Sequence, residues 1–241
     1  MLRILHRDDH LIAIDKPAGI ATVPGRNDKD PALIVEVREI APGAMAVHRL
    51  DRDTSGVVLF ALTRDAHRAL NAAFEARRVE KTYLALVRGD VPARRRVDLP
   101  LADTRRGGMR VAERGEKGAL AALTEVRPEE RFGAYTLCTC LPRTGRTHQI
   151  RVHLAAIGHP LAIDPRYGEE RPLRIGELWS GSPDPDTIVL TRTPLHASSL
   201  RVPHPARRGW LSVEAPVPDD IARCLDLLRA ARRSADVGPL V

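Results

Sequence analysis

Residues 57–62 read Val57-Val58-Leu59-Phe60-Ala61-Leu62, an unbroken apolar run. Its length suits a strand rather than a helix, and an apolar side chain at every position means that both faces must be covered. The run therefore predicts a strand inside a sheet. Thr63 follows as a helix cap, and Ala66, Leu70, Ala73 and Phe74 then share one stripe, which predicts a helix over 64–78 lying on that sheet. Arg77-Arg78 stands at its far end, where the helix dipole favours cations. Downstream, strand-like stretches follow at Thr82–Val87, Arg96–Leu101, Ala119–Val126, Tyr135–Leu141, Leu195–Val202 and Trp210–Glu214, joined by glycine-rich or charged turns.

Upstream, Leu11–Ile14 predicts a strand that ends in the turn Lys16-Pro17-Ala18-Gly19, and Ala32–Ile40 a short helix. Ile150, Leu154 and Ile157 repeat at helical spacing within a predicted helix 146–157, stopped by Gly158-His159-Pro160, with Arg146, Gln149 and His153 on its polar face. A last helix over 218–233 carries Ile221, Cys224, Leu225 and Leu228 on its apolar stripe. The stretch Glu169–Asp186, rich in proline, glycine and serine, reads as a surface loop, and residues 234–241 as a frayed tail. No internal repeat and no domain boundary interrupts this order. The elements predict one α+β domain over 1–241, with a large mixed sheet, mainly antiparallel, flanked by helices and loops.

The 241 residues can bury a full core, and 43% apolar with 29% charged residues excludes wholesale disorder. No apolar run approaches a membrane span and no signal peptide is visible, which predicts a cytoplasmic protein that does not engage a membrane. Three cysteines, Cys138, Cys140 and Cys224, form neither a disulfide framework nor a zinc pair and read as buried thiols. The net charge of +7 points to a polyanion such as RNA or DNA. Because only Lys16, Lys29, Lys81 and Lys117 are lysines, a bias of the source genome towards arginine explains the same charge without nucleic acid.

The densest polar cluster, His48-Arg49-Leu50-Asp51-Arg52-Asp53-Thr54-Ser55-Gly56, lies between apolar strand-like segments, so its side chains gather in a loop at a sheet end. It reads either as a functional loop or as a polar turn whose aspartates bond nearby amides. A second cluster, Arg143-Thr144-Gly145-Arg146-Thr147-His148-Gln149-Ile150-Arg151-Val152-His153, opens a helix. Its cations and free N–H groups suit a phosphate or a carboxylate, and a solvated basic helix face is the plain alternative.

His48-Arg49-Leu50-Asp51 followed by Thr54-Ser55-Gly56 resembles the signature of the RluA-like pseudouridine synthases, which isomerise uridine within RNA. Asp9–Gly19, Lys81-Thr82-Tyr83-Leu84-Ala85, the Thr144–His153 segment and Leu195-His196-Ala197 agree in the same order, so the resemblance spans about 5–216. It implies a pseudouridine-synthase-like catalytic domain with its cleft across the sheet. It also implies a catalytic aspartate at Asp51, an active-site tyrosine at Tyr83, and Arg146 as the cation paired with that aspartate. Arg49 would displace the target base, and His48, Thr54, Arg143, Gln149 and Arg151 would complete the substrate contacts. Ala121 stands where the family often has a polar residue, and the basic segment Arg105–Lys117 has no clear counterpart. Many relatives carry an N-terminal S4 RNA-binding domain, a module not expected here.

The implied reaction breaks N1–C1′, turns the freed uracil and joins C5 to C1′, with no net redox change. It calls for no cofactor and no metal, in keeping with the missing G-x-G-x-x-G, Walker and H-E-x-x-H patterns. A glycosidase needs two carboxylates, but here the leaving base is also the nucleophile, so one suffices. Asp51 has three candidate roles: adding to C1′, stabilising an oxocarbenium-like charge, or taking the C2′ proton. Burial disfavours a bare carboxylate, and Arg146 would supply the compensating charge. Tyr83 would stack on uracil and help remove the C5 proton. Extruding the base costs least in loops and bulges, which makes structured single-stranded uridines of ribosomal or transfer RNA the expected targets of a monomeric enzyme. The rival reading is a catalytically silent RNA-binding protein on the same scaffold.

Overall fold

The computed structural model describes residues 2–25, 31–104 and 107–236. In chain order the elements are β1 (Arg3–Arg7), β2 (Leu11–Lys16), α1 (Leu33–Ile40), β3 (Met45–Ala46), β4 (Ser55–Ala61), α2 (Arg64–Glu75), β5 (Glu80–Arg88), β6 (Arg95–Asp98), β7 (Leu101–Asp103), β8 (Met109–Val111), β9 (Leu123–Arg131), β10 (Tyr135–Pro142), α3 (Gln149–Ala156), β11 (Leu173–Arg174), α4 (Ile175–Leu178), β12 (Ile188–Leu190), β13 (Leu195–Pro203), β14 (Trp210–Glu214) and α5 (Asp219–Asp236). Ten strands form one sheet with the path β1-β2-β4-β13-β5-β10-β9-β6, to which β3 adds on β4 and β14 on β13. Among these strands β4 and β13 pair in parallel, and every other ladder is antiparallel.

The apolar run at 57–62 sits where its composition requires. All seven residues of β4 are buried, Val57, Leu59 and Ala61 against α2 and Val58 and Phe60 against α1. The same alternation continues across the sheet, with Leu86 and Leu137 facing α5 and Ala85, Val87, Cys138 and Cys140 facing α3. Tyr83 packs on both the α1 and the α3 clusters and so marks the seam between them. All three cysteines are buried.

Thr63 caps α2 as its sequence predicts, its hydroxyl accepting from the Ala66 N–H at 3.1 Å. The helix nevertheless stops at Glu75 rather than Arg78. Arg77 takes a left-handed conformation (φ 54), and the Arg77 and Arg78 amides bond back to the Phe74 and Ala73 carbonyls at 3.0 and 2.9 Å, a Schellman ending. The basic pair thus lies past the helix and not on its last turn.

Helix α3 starts three residues later than predicted because His148 is left-handed (φ 53), and Gln149 and His153 are buried rather than solvated. His153 bonds Thr124 Oγ1 at 2.9 Å and the Leu99 carbonyl at 3.0 Å, since a flap containing β7 and β8 covers that side. Nor is 169–186 an unstructured loop: it contains β11 and α4, and buries Leu173 and Leu178 under α5. The expected frayed tail is helical through Asp236, and residues 237–241 lie outside the described residues, as do 105–106 of the basic segment.

Gly56 is the contact between the parallel strands. It sits at φ +112 opposite Ala197, and a Cβ there would lie 2.2 Å from the Ala197 carbonyl oxygen. Gly56→Ala should therefore add both steric overlap and backbone strain, costing on the order of 3 kcal/mol or more. Thermal unfolding should show a midpoint lowered by roughly 6–12 °C; an unchanged midpoint would mean that the strands part without cost.

Candidate active site

The His48–Gly56 loop is pinned from below. Lys16, fully buried at the end of β2, donates from Nζ to the carbonyls of Pro17 (2.8 Å), Ile20 (2.7 Å) and Arg52 (2.9 Å). Burial lowers its pKa to about 8 against the opposing charges of Asp53 and Asp51. The Thr22 hydroxyl donates to the Leu50 carbonyl (3.1 Å) and accepts from the Leu50 amide (3.0 Å), and the Thr54 amide closes the turn on the Asp51 carbonyl at 3.1 Å. These bonds fix the backbone on both sides of Asp51, so its carboxylate is presented by a rigid loop.

That carboxylate meets α3. Asp51 Oδ2 lies 3.5 Å from Arg151 Nη1 and 3.8 Å from His148 Nε2. Arg151 is itself gripped by Asp164, through Nε to Oδ2 at 2.8 Å and Nη2 to Oδ1 at 2.7 Å. Asp164 is fully buried and also accepts the Arg166 and Tyr167 amides at 3.0 and 3.1 Å. Burial raises the Asp164 pKa, but these bonds outweigh it and hold the carboxyl below its ordinary value. The fork thus spends two guanidinium nitrogens on Asp164 and leaves the third facing Asp51.

Arg146 does not hold Asp51, contrary to the expectation from the sequence. Its amide bonds Gln149 Oε1 at 3.0 Å, and its Nε donates to the Ala121 carbonyl at 3.2 Å, so the side chain leans away towards 121. Arg151, the third residue of α3 and just past the left-handed His148, takes that place.

His148 is the neighbour that the sequence reading did not single out. Its Nε2 faces a carboxylate, which can only accept, while its Nδ1 lies 2.8 Å from Tyr167 Oη, which already accepts the Met109 N–H at 3.0 Å. The arrangement that satisfies every group has Tyr167 donating to Nδ1 and the proton on Nε2, towards Asp51. Burial lowers the His148 pKa against the pull of Asp51, with Arg151 and Arg166 adding to the lowering, so the ring is neutral.

A cavity of about 240 Å³ opens on this pair, lined by Asp51, Tyr83, Arg146, His148 and Arg151 together with Arg49, Thr54 and Lys81. Burial, with the Asp51 charge adding, raises the Tyr83 pKa well above that of a free phenol. The ring is thus protonated, suited to stacking and to donating a hydrogen bond and ill suited to act as a phenolate base. Lys81, also unselected from the sequence, donates to the Thr144 carbonyl at 2.9 Å, and burial lowers its pKa to about 8.

The remaining expected contacts divide. Arg49 is exposed at the rim and forms no ion pair with Asp53. His48 accepts the Leu59 N–H at 3.1 Å and stacks on Phe74 at 5.0 Å; burial and then Lys81 lower its pKa to about 3, which makes it a neutral wall. Gln149 is saturated by Thr144 Oγ1, the Arg146 amide, the Leu123 carbonyl and Thr124 Oγ1, and therefore organises the loop rather than a ligand. Thr54 is buried within the His48–Gly56 loop and lines the cavity. Arg143 lies outside the cavity, paired with Glu125 at 2.9 Å.

Residues 10–156 match the family model for RNA pseudouridylate synthase. This chain belongs to that family. The chain is 41% identical to the ribosomal large subunit pseudouridine synthase D of Nitrosomonas europaea, over 99% of its own length and 69% of the relative's. It is 40% identical to the ribosomal large subunit pseudouridine synthase C of Escherichia coli K12, over 95% and 70%. The solved human RNA pseudouridylate synthase domain containing 4 superposes with a TM-score of 0.75 at 25% identity, covering 94% of this chain and 92% of that one. The synthase is thus an RNA isomerase with a mixed-sheet catalytic fold, and the cavity beside Asp51 lies on the sheet face between α1 and α3.

Proposed function

We propose that this synthase isomerises uridines in ribosomal RNA, with Asp51 as the group that acts at C1′. The observation that carries the reading is the carboxylate held at one wall of a base-sized cavity, with Arg151 3.5 Å behind it and Tyr83 on the same wall system. A flipped uridine would place its base against Tyr83 and its sugar against Asp51. Breaking N1–C1′ leaves positive charge on the sugar and negative charge on uracil. The carboxylate meets the first, and Lys81 and Arg146 line the space of the second. After rotation C5 bonds C1′ and gives up its proton while the freed N1 takes one up, so no atom is gained or lost. Asp51 as nucleophile, as counter-charge and as C2′ base all fit this placement.

Ribosomal RNA is the favoured substrate because the two relatives are named for the large ribosomal subunit. Arg49, exposed at the rim beside the cavity mouth, suits the space that the extruded base vacates. We read the protein as acting as a monomer in the cytoplasm. Mapping pseudouridine in total RNA from cells with and without the gene tests the assignment. One or more ribosomal positions should revert to uridine in the deletion strain, and reversion confined to transfer RNA would overturn the substrate assignment.

A further inference from the structure

The cavity beside Asp51 adjoins a groove of about 400 Å³ lined by Arg77 and Arg143, the two sharing Lys81, Thr144, Gly145 and Arg146 as a common wall. That groove in turn adjoins a second of about 400 Å³, with which it shares Arg77, Lys81 and Arg143 and which Arg78 and Trp210 also line. Their walls carry Arg77, Arg78, Lys81, Arg143 and Arg146 against Glu75 and Glu80; Glu80 is taken by Arg201 at 3.3 Å and Arg143 by Glu125 at 2.9 Å, which leaves Arg77, Arg78, Lys81 and Arg146 against Glu75.

Trp210 is the unusual member. Of the eight Phe, Tyr and Trp residues it alone is exposed, at 48%, and it stands at the groove's far end. The Arg201 guanidinium lies 4.6 Å from its ring centroid and is itself tied to Glu80, so the indole is braced on one side. Arg77 adds a second sign. It occupies the left-handed position of a Schellman ending, where glycine is the unstrained choice, and its side chain lines the groove.

We propose that this groove is the track of the RNA strand flanking the target uridine, and that Trp210 is the platform on which one base of that strand stacks. The inference rests on the reading of Asp51 as the site of uridine isomerisation. A polyanion matches the excess of arginine, and an unpaired base matches a braced, half-exposed indole. Strand β5 carries Tyr83 and Glu80 three residues apart, about 10 Å, so the platform serves a nucleotide beyond the one that reacts.

The test uses the full chain and a transcript of large-subunit ribosomal RNA with C5-tritiated uridine. Trp210→Ala should raise the Kd and the KM for the transcript by about 5- to 150-fold. The rate at saturating RNA should hold, and Trp210→Phe should stay within a few-fold of native. RNA should quench the Trp210 fluorescence in a Trp179→Phe background. Arg77→Ala with Arg78→Ala should flatten the plot of log K against log salt by about 0.7 per arginine. Tritium release by native protein with an unaltered Kd for Trp210→Ala would overturn the track while leaving the uridine assignment standing. No tritium release from any ribosomal transcript would overturn that assignment, and the track with it.

Discussion

Asp51→Asn should abolish tritium release from C5-labelled ribosomal RNA, lowering turnover by roughly four orders of magnitude or more, on the order of 5 kcal/mol of transition-state stabilisation. Asparagine keeps the shape, and the loop that carries position 51 is held by Lys16 and Thr22 through main-chain atoms, so the fold should survive. What disappears is the negative charge, which all three roles open to Asp51 require. RNA binding should move the other way. The carboxylate is a negative group in a cleft lined by Arg49, Arg146 and Arg151, and removing it takes away a repulsion from phosphate. The diagnostic pattern is therefore a Kd equal to or below native combined with lost release. If Asp51→Asn released tritium at the native rate, a different group would be doing the chemistry. If release and binding fell together, the loss would be one of structure.

Where side chains report their own surroundings, sequence and structure agree. The run at 57–62 could be read as doubly covered because every residue in it is apolar, and the stripe on α5 because Ile221, Cys224, Leu225 and Leu228 repeat at helical spacing. Strand β1 escaped notice because it is an edge strand with no buried residue, so no alternation marks it. Prolines and glycines in 169–186 masked the two leucines that bury that segment. In the site, the motifs located Asp51 and Tyr83, since both lie in short segments whose positions follow from neighbouring strands. The partner of Asp51 was not legible for a different reason. Arg146 and Arg151 stand in one basic segment, and which of them turns inward depends on the left-handed His148 and on the buried Asp164, thirteen residues beyond Arg151. Neither has a local sequence signal. A buried guanidinium demands a buried acid, but only the fold says which acid.

The two arginines make opposite predictions. Arg151→Leu removes the cation from Asp51 and also strands Asp164, fully buried, without its partner, which should cost about 3–5 kcal/mol of stability as well as activity. Because such a variant risks losing its fold, Arg151→Lys is the sharper probe. It keeps a positive charge, but an ammonium cannot fork onto Asp164 and face Asp51 at once. Turnover should fall by about 10²-fold or more, with the KM for RNA little changed, because the buried Arg151 is engaged by two carboxylates and has no nitrogen to spare for phosphate. Arg146→Leu should behave in reverse, raising KM while leaving the rate at saturating RNA within about tenfold, since among the described residues its side chain bonds the Ala121 carbonyl rather than Asp51 and lies along the path to the groove. Single-turnover tritium release at saturating RNA separates the two. A native rate in Arg151→Lys together with a collapse in Arg146→Leu would reverse the assignment and require Arg146 to swing onto Asp51 when RNA binds.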